Sequence, residues 1–534
     1  MSLNPFAYLM LFGWPIVVMI LFRRLPLPAA LIWSILAGYL FLPERLSLNL
    51  PLMPDLDKHA VPALSAALFA FLAAKTASHR RTRADLTESL ADDVVAPLRE
   101  ERKPHLVFTL LLIVAIGSPI LTALANTDPV SFATMRLPGL GIKDALGTAL
   151  SILITLLPFM LARRYLARTE DHVMLLKALV IACLIYSVLI LIEARISPQL
   201  HRLVYGIHSH SFAQHIRGGH YRAMVFLGHG LKVGIFVAMA ALAAATMWRV
   251  SRKLSEGPAK PARQANDGVF RRATDRSQKK PQAFATPSPF GYAIRLVWLC
   301  FVLVISRNLG STGILLLLLP TILFLGIRTQ VLIAAVIAAV ILVYPLARGN
   351  GLIPTARIVA LAETIDKGRA QSLEFRLRNE DMLIARANER PLLGWGGWGR
   401  NRIFSETTGE DLSVTDGTWI ITAGVRGWIG YLSYFGLLAM PILLLMRRSR
   451  SGLDQAAAGL ALLLAANMID LIPNSGLTPL TWMIAGAVAG RVELTVKSQE
   501  APGKRKRMQP AALSGMSAAP ARSTPGRSGL SRRV

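Results

Sequence analysis

Three charged residues lie at the edges of long apolar runs, where a side chain can meet a ligand at a membrane surface. Arg222 precedes one run, Arg307 follows another, and Asp416 lies just before a third. The planar guanidinium of arginine pairs with phosphate oxygens through two parallel hydrogen bonds. A positioned carboxylate or imidazole accepts the proton of an attacking hydroxyl. We therefore predict phosphate binding by the arginines and proton acceptance by Asp416, with His220 as a second candidate base.

These residues also have structural interpretations. Arg222 and Arg307 are equally suited to snorkelling or to structural ion pairs at span ends. Asp416 precedes the apolar run Trp419–Ala423, a position that suits a helix N-cap. A cap and a catalytic carboxylate are compatible, because capping fixes the position of the side chain.

One long connection, residues 347–418, carries ten basic and ten acidic residues and is therefore neutral. Its middle, Ser372–Arg390, has apolar residues at near-helical spacing and is followed by Pro391, which predicts a helix that ends there. Within this helix Arg376 and Arg378 are candidates for substrate contacts. Neighbouring glutamates favour surface ion pairs as the alternative.

A glycine-rich element follows this predicted helix. Residues 394–399 read Gly-Trp-Gly-Gly-Trp-Gly, in which the glycines permit tight turns and close approach of a ligand. Trp395 and Trp398 supply flat apolar faces that each carry a polar N–H group. We predict that they form a wall of a sugar-binding cavity, and the alternative is an aromatic anchor at the membrane interface.

The elements that position these residues are apolar runs long enough to cross a bilayer, which takes about 20 residues. The sequence predicts an all-α polytopic membrane protein with 12 or 13 spans. The candidate spans are 5–22, 28–42, 60–74, 106–125, 144–161, 173–193, 223–247, 291–306, 312–326, 330–346, 420–446, 456–472 and 476–490.

Composition and charge agree with this topology. The chain is 53% hydrophobic and 17% charged, which excludes an ordinary soluble or disordered protein, and its net charge is +28. The long apolar runs argue against a nucleic-acid partner. Alternating the connections concentrates Lys and Arg on one side, which predicts that side to be cytoplasmic and the 347–418 segment to face outwards.

The predicted organisation has six parts. They are transmembrane helices in 1–247, a basic cytoplasmic linker in 248–290, transmembrane helices in 291–346, a large outer loop in 347–418, transmembrane helices in 419–490 and a disordered basic cytoplasmic tail in 491–534.

Four motifs in order resemble the O-antigen ligase and O-antigen polymerase family of bacterial membrane proteins. That family has a large periplasmic loop late in the chain, which ends in His-Asn-x9-Gly-x2-Gly. The matching elements here are Asp416-Gly417 with Gly427 and Gly430, Pro391-Leu392-Leu393-Gly394-Trp395-Gly396, Arg222 with Gly228-His229, and Ser306-Arg307.

The resemblance implies a GT-C-like fold in the bacterial inner membrane, with the active site facing the periplasm and the C-terminus in the cytoplasm. It implies a glycosyltransferase that uses neither a metal nor a cofactor. The donor would be an undecaprenyl-diphosphate-linked glycan, and the acceptor would be another glycan or the lipid A core.

The chain departs from the family at the loop histidine, which falls on Asp416, and at its neighbouring asparagine, which falls on Gly417. No histidine follows His229 along the chain, so a shifted register within the loop does not restore it. Ligase and polymerase activities therefore both remain open. The alternative functions are a lipid-linked oligosaccharide flippase and an inactive glycan-binding scaffold of a polysaccharide assembly complex.

Overall fold

The computed structural model describes residues 3–49, 54–88, 100–133, 135–208, 216–217, 220–256, 288–365, 367–448 and 453–496. Most of the predicted linker 248–290 and of the predicted tail 491–534 lies outside these residues. The described chain is mostly helical.

Sixteen helices are present in the described ranges. They are α1 (Pro5–Arg24), α2 (Leu27–Phe41), α3 (Ala60–Glu88), α4 (Leu106–Leu124), α5 (Ile142–Tyr165), α6 (Thr169–Ile196), α7 (Leu200–Tyr205), α8 (Gly230–Ser255), α9 (Pro289–Ile305), α10 (Leu309–Phe324), α11 (Ile327–Gly349), α12 (Thr355–Ile365), α13 (Lys367–Asn388), α14 (Thr418–Met446), α15 (Gln455–Asp470) and α16 (Pro479–Glu493).

Short strands form three antiparallel pairs in the same ranges. They are β1 (Glu100–Arg102) with β6 (Leu494–Val496), β2 (Val130–Phe132) with β3 (Met135–Leu137), and β4 (Ile216–Arg217) with β5 (His220–Tyr221).

The helices have the length and composition of a multi-pass membrane protein. Seven of those described are long and apolar enough to cross a bilayer, and five more are shorter apolar helices. Each predicted span overlaps one of the helices α1–α6, α8–α11 and α14–α16. The helix expected in 372–390 is present as α13, and α12 precedes it within the long connection.

The predicted start of the seventh span, at residue 223, is wrong, because α8 begins at Gly230. Val225 and Gly228 have φ of 50° and 75°, a left-handed conformation that a helix does not admit. His229 then caps the helix by accepting a hydrogen bond from the backbone N–H of Leu231. Arg222 consequently lies in an irregular segment rather than on a helix.

The centre of the helical bundle is formed by α15, α16 and the apolar part of α8, whose residues are almost all buried. Small residues let these helices approach their neighbours closely. A Cβ on Gly486 would lie 2.2 Å from the carbonyl oxygen of Phe159, and one on Gly459 would lie 2.3 Å from the Thr246 side chain.

The bundle has two distinct ends. We call the end that carries α12 and α13 the loop end, and the end at which β1 pairs with β6 the tail end. At the tail end the buried carboxylate of Glu493 accepts hydrogen bonds from Arg102 and Arg163 and from the backbone N–H of His105. This ion cluster ties together the starts of α4 and β6 and the end of α5.

Candidate functional site

A cavity of about 790 Å³ opens at the loop end of the bundle. Five parts of the chain line it: the connection after α2, the segment from Arg222 into α8, α13, the residues before α14, and the end of α15 with the turn that follows. We call it the polar cavity. Its charged lining consists of the cations Arg45, Arg222, Lys232 and Arg376 and the anions Glu44, Asp416 and Asp470.

Asp416 pairs with Arg376 at the wall of the polar cavity. The Arg376 Nε lies 3.4 Å from Oδ2 of Asp416, and the two side chains are 36% and 42% exposed. A second nitrogen, Nη1 of Arg376, donates to the carbonyl of Pro473 at 3.3 Å. The N-cap of α14 is Gly417, so the interpretation of Asp416 as the capping residue is wrong. Asp416 instead precedes the cap, and its carboxylate faces a cavity.

The start of α14 is fixed to the turn after α15, and this contact positions Asp416. The backbone N–H of Thr418 donates to the carbonyls of Leu471 and Asn474, and its hydroxyl donates to Asn474 at 2.9 Å. A Cβ on Gly417 would lie 2.3 Å from the carbonyl oxygen of Ile472, so the close approach requires glycine. The motif residue Gly417 therefore has a packing role.

Asp470 is a second carboxylate in the same cavity, and sequence reasoning missed it. It is the last residue of α15, is buried, and accepts a hydrogen bond from the Asn474 amide at 2.8 Å. Arg222 interacts with it electrostatically. An acidic residue at the end of an apolar span was an available signal, because ionisable residues in membrane segments usually serve a function.

Arg222 is buried, and its side chain lies over the first turn of α8. A Cβ on Gly230 would lie 2.6 Å from the Arg222 Cδ, so the glycine at the helix start makes room for the arginine. The irregular segment before α8 thus directs the Arg222 side chain into the cavity wall. A buried guanidinium in the wall of a cavity is well placed to bind a charged ligand.

A buried ion cluster supports this segment. Oε1 of Glu44 lies 3.4 Å from Nζ of Lys58 and 3.5 Å from Nζ of Lys232. The Lys58 side chain is 2% exposed and donates to the carbonyl of Phe226 at 2.7 Å. Gly228 leaves space for Glu44, because a Cβ there would lie 2.7 Å from the carboxylate. The connection after α2 and the segment before α8 are therefore held together by charge.

The pKa values in this cluster follow from burial and charge. Burial by itself raises the pKa of Glu44, but the ammonium groups of Lys58 and Lys232 outweigh burial and lower it to about 2. Burial lowers the pKa of Lys58, and the neighbouring Glu44 carboxylate opposes that change. Glu44 is therefore a permanent anion that balances two lysines.

A second cavity, of about 640 Å³, adjoins the polar cavity and has a mainly apolar lining. This cavity lies between α10, α11 and α13, and the start of α14 and the turn after α15 also line it. We call it the apolar groove. Phe375, Arg376, Asp416, Asp470 and Asn474 line both spaces. A charged compartment and a hydrophobic compartment therefore meet at the Arg376–Asp416 pair.

Three of the predicted site residues, Arg222, Arg376 and Asp416, lie together at the polar cavity. The described lining of that cavity does not include Arg307, which is exposed in the turn between α9 and α10 with φ 52°. Arg378 is exposed on α13. His220 lies on β5, and its side chain is outside the described part of the structure.

The two tryptophans occupy different environments and do not form one wall. Trp395 is 6% exposed, with the guanidinium of Arg386 3.4 Å from its ring centre and that of Arg390 at 4.5 Å. Its indole N–H donates to the carbonyl of Arg386 at 2.7 Å. Trp398 is 64% exposed, and its indole N–H donates to Asp144 at 3.1 Å. Trp395 is therefore a packing residue here, whereas the face of Trp398 is free for a ligand.

Two of the sequence motifs pack against one another: the segment Pro391-Leu392-Leu393-Gly394-Trp395-Gly396 and the part of α14 around Gly427. α14 is interrupted at Gly427, which has φ 63° and ψ −167°. A Cβ on Gly427 would lie 2.4 Å from the carbonyl of Leu392, and one on Gly394 would lie 2.5 Å from the Gly427 nitrogen. Both glycines are required because two backbones are in direct contact.

Hydrogen bonds between these motifs replace those that the interruption of α14 removes, so the kink leaves few backbone groups unsatisfied. The pairs, each written with the N–H donor before the carbonyl acceptor, are Trp395 to Gly424, Gly396 to Val425, Trp428 to Pro391 and Ile429 to Leu392.

No family model matches the chain, and no curated protein matches it either.

Proposed function

We propose that the chain is a membrane glycosyltransferase that transfers or polymerises a glycan carried on undecaprenyl diphosphate. The observation that carries this proposal is the junction of the polar cavity with the apolar groove. A lipid-linked donor needs both compartments, because its diphosphate is charged and its polyprenyl chain is apolar. The boundary between them falls at Arg376 and Asp416, the side chains that face the reacting groups.

The polar cavity has the charges that a departing diphosphate needs. Arg222, Arg376, Lys232 and Arg45 supply cations around one space, and the buried Arg222 acts where the dielectric constant is low. Negative charge grows on the diphosphate as the glycosidic bond breaks, and cations fixed in advance stabilise that charge. Asp470 keeps Arg222 in position before the donor binds.

The apolar groove accommodates the donor's lipid. Ile314 and Leu317 on α10 face Val336 and Val340 on α11 across it. Because both helices are apolar spans, the polyprenyl chain stays in hydrophobic surroundings while its diphosphate reaches the polar cavity.

Asp416 accepts the proton of the acceptor hydroxyl. The acceptor oxygen bonds to the anomeric carbon, the bond from that carbon to the diphosphate oxygen breaks, and undecaprenyl diphosphate leaves with the bonding electrons. Arg376 moves from Asp416 to the diphosphate as the donor binds. Its move frees the carboxylate for the acceptor.

The remaining features follow from the family resemblance. The thirteen helices that overlap the predicted spans form a GT-C-like bundle in the bacterial inner membrane, with the loop end in the periplasm and the C-terminus in the cytoplasm. The acceptor is a second glycan or the lipid A core.

Deletion of the gene, followed by separation of surface glycans by size, tests this proposal. Loss of long chains from lipid A core identifies a ligase, and loss of chain length with single repeats retained identifies a polymerase. An unchanged glycan profile overturns the proposal. Complementation with Asp416→Asn should fail, whereas Asp411→Asn, which alters a carboxylate paired with Arg402 in the same loop, should restore the profile.

A further inference from the structure

A second pair of cavities lies on the other side of the turn after α15. Their volumes are about 590 and 510 Å³, and they are continuous because Pro54, Gly147 and Thr148 line both. We call them together the lateral groove. It begins at Trp398 and Arg426 and runs between α3, α5 and the start of α16. Volumes of this size suit a ligand of several rings.

The entrance of the lateral groove has an exposed aromatic face. Trp398 has φ 61°, a conformation that is uncommon for a residue with a side chain. The hydrogen bond from its indole N–H to Asp144 fixes the ring against the start of α5. An indole held in a fixed orientation with its face exposed is a stacking platform for a sugar ring.

Hydroxyl groups continue inward from this platform along one face of α5. Thr148, Ser151 and Thr155 are exposed, line the groove and extend over about 10 Å of the helix. The Thr155 hydroxyl donates to the carbonyl of Ser151 at 2.8 Å and retains acceptor capacity, and exposed hydroxyls are favourable beside a ligand that both donates and accepts hydrogen bonds. This row therefore argues against an acyl chain as the occupant.

The charges of the lateral groove are mixed. Lys143 and Arg426 lie at its entrance with Asp144, and Asp55 and Asp57 lie further in. These three carboxylates outnumber the two cations, whereas in the polar cavity four cations outnumber three carboxylates, so the lateral groove is the poorer site for a polyphosphate or another strong polyanion. A saccharide, which is uncharged or weakly charged and rich in hydroxyls, satisfies carboxylates and side-chain hydroxyls alike.

The lateral groove and the polar cavity are connected by consecutive residues of the same two segments. Residues 474–476 line the polar cavity, and Leu477, Thr478 and Pro479 line the lateral groove. Asp57 and His59 face the lateral groove, whereas Lys58 between them pairs with Glu44 of the polar cavity. A chain lying in the lateral groove is therefore adjacent to the place of reaction.

We infer that the lateral groove is a binding site for a saccharide chain, the glycan held beside the donor during transfer. This inference rests on the proposed function for the identity of its ligand, but its site is separate from the residues that perform transfer. Trp398 stacks on a sugar ring, and the hydroxyls of α5 bond to the rings that follow.

The test measures binding by the full chain in lipid nanodiscs. The probe is a fluorescently labelled oligosaccharide released by mild acid from the surface glycans of the bacterium that encodes the chain, and anisotropy gives its Kd. Trp398→Ala should raise the Kd by about tenfold, the loss expected for one aromatic platform. Thr148→Val, a change on a different element, should also raise it, and Trp398→Phe should retain most of the binding.

Two controls separate this inference from the proposed function. Trp298→Ala alters a partly exposed tryptophan on α9 and should bind the probe as the unaltered chain does. The described lining of the lateral groove does not include Asp416, so Trp398→Ala should raise the Kd by the same factor in the Asp416→Asn background as in the unaltered chain. Unchanged Kd values in both Trp398→Ala and Thr148→Val, no binding by the unaltered chain, or equal loss in Trp298→Ala overturns the inference. Loss of transfer in Asp416→Asn then leaves the proposed function standing by itself.

Discussion

The Nε atom of Arg376 lies 3.4 Å from Oδ2 of Asp416, at the boundary between a charged cavity and an apolar groove. Both side chains are more than one third exposed, and an ion pair of this kind contributes about 0–1 kcal/mol to stability. The pair is therefore weak enough for an incoming diphosphate to separate. In the proposed reaction Arg376 exchanges a carboxylate for phosphate oxygens.

Substitution of Arg376 tests this exchange. Arg376→Gln should raise the KM for a lipid-diphosphate donor by about tenfold or more, because one charge-assisted contact of about 1.5–3 kcal/mol is lost. The kcat should fall less, since Asp416 remains. Arg378→Gln removes an exposed arginine two residues away and should leave KM unchanged. Equal effects of the two substitutions would contradict the role of Arg376.

Arg222 and Arg307 are distinguished by a conservative change. Arg222→Lys should lower kcat/KM by at least about tenfold, because the ammonium lacks the two-pronged contact of a guanidinium. Arg307→Lys should weaken transfer by a smaller factor, because Arg307 is exposed outside the described lining of the polar cavity. Donor turnover by the purified variants measures both effects, and normal turnover in Arg222→Lys would remove it from the site.

The positions of the spans were predictable from the sequence, because apolar length is a local property. All thirteen predicted ranges overlap helices. The start of α8 was not predictable in this way, since the residues 223–227 are themselves apolar. The backbone conformation of this segment depends on two contacts. Arg222 packs over Gly230, eight residues further along, and Glu44, from a distant part of the chain, packs against Gly228.

The site was predictable only in part for the same reason. Motif spacing identified Arg222 and Asp416, and the predicted helix of the long connection supplied Arg376 as a candidate; the fold brings all three to one cavity. The sequence pattern did not identify Glu44, whose role depends on lysines in two other segments. It also paired Trp395 with Trp398, although adjacency along a glycine-rich turn permits opposite orientations. The Trp395 ring is buried under the side chains of Arg386 and Arg390, whereas the Trp398 ring faces the lateral groove.

The docking of the two glycine motifs predicts a strict requirement at Gly427. Gly427→Ala should destabilise the protein by about 1–3 kcal/mol or more, because its backbone conformation admits essentially glycine alone and the new Cβ would overlap Leu392. Thermal denaturation in detergent measures the effect. Gly313→Ala, in α10, meets no atom within 4 Å and should be neutral or slightly stabilising. A neutral Gly427→Ala would contradict the close contact.

The buried ion cluster predicts a cost for removing one partner. Lys58→Met should lower stability at neutral pH by about 3 kcal/mol, because Glu44 loses the largest of the charges that keep it ionised. The double variant with Glu44→Gln should recover part of this loss. A single variant as stable as the unaltered chain would show that the pair contributes nothing.

The same cluster predicts a pH dependence. The pKa of Glu44 is lowered from its ordinary value of 4.5 to about 2, so its contribution to stability is complete above pH 4.5 and disappears as pH falls towards 2. The melting temperature of the unaltered chain should fall through that window. In Lys58→Met the pKa of Glu44 is lowered less, because Lys232 remains but the larger effect of Lys58 is lost, so the curve should be flatter there. A steeper curve in the variant would contradict this assignment.

The central claim is that Asp416, facing Arg222 and Arg376 in one cavity, enables glycan transfer from a lipid diphosphate. The most direct measurement uses the purified chain in liposomes with an undecaprenyl-diphosphate-linked glycan and an acceptor, and follows release of undecaprenyl diphosphate with growth of the acceptor. We predict release by the unaltered chain and a loss of about 100-fold or more in Asp416→Asn. Movement of the donor across the bilayer without release, or equal release by Asp416→Asn, would contradict the account.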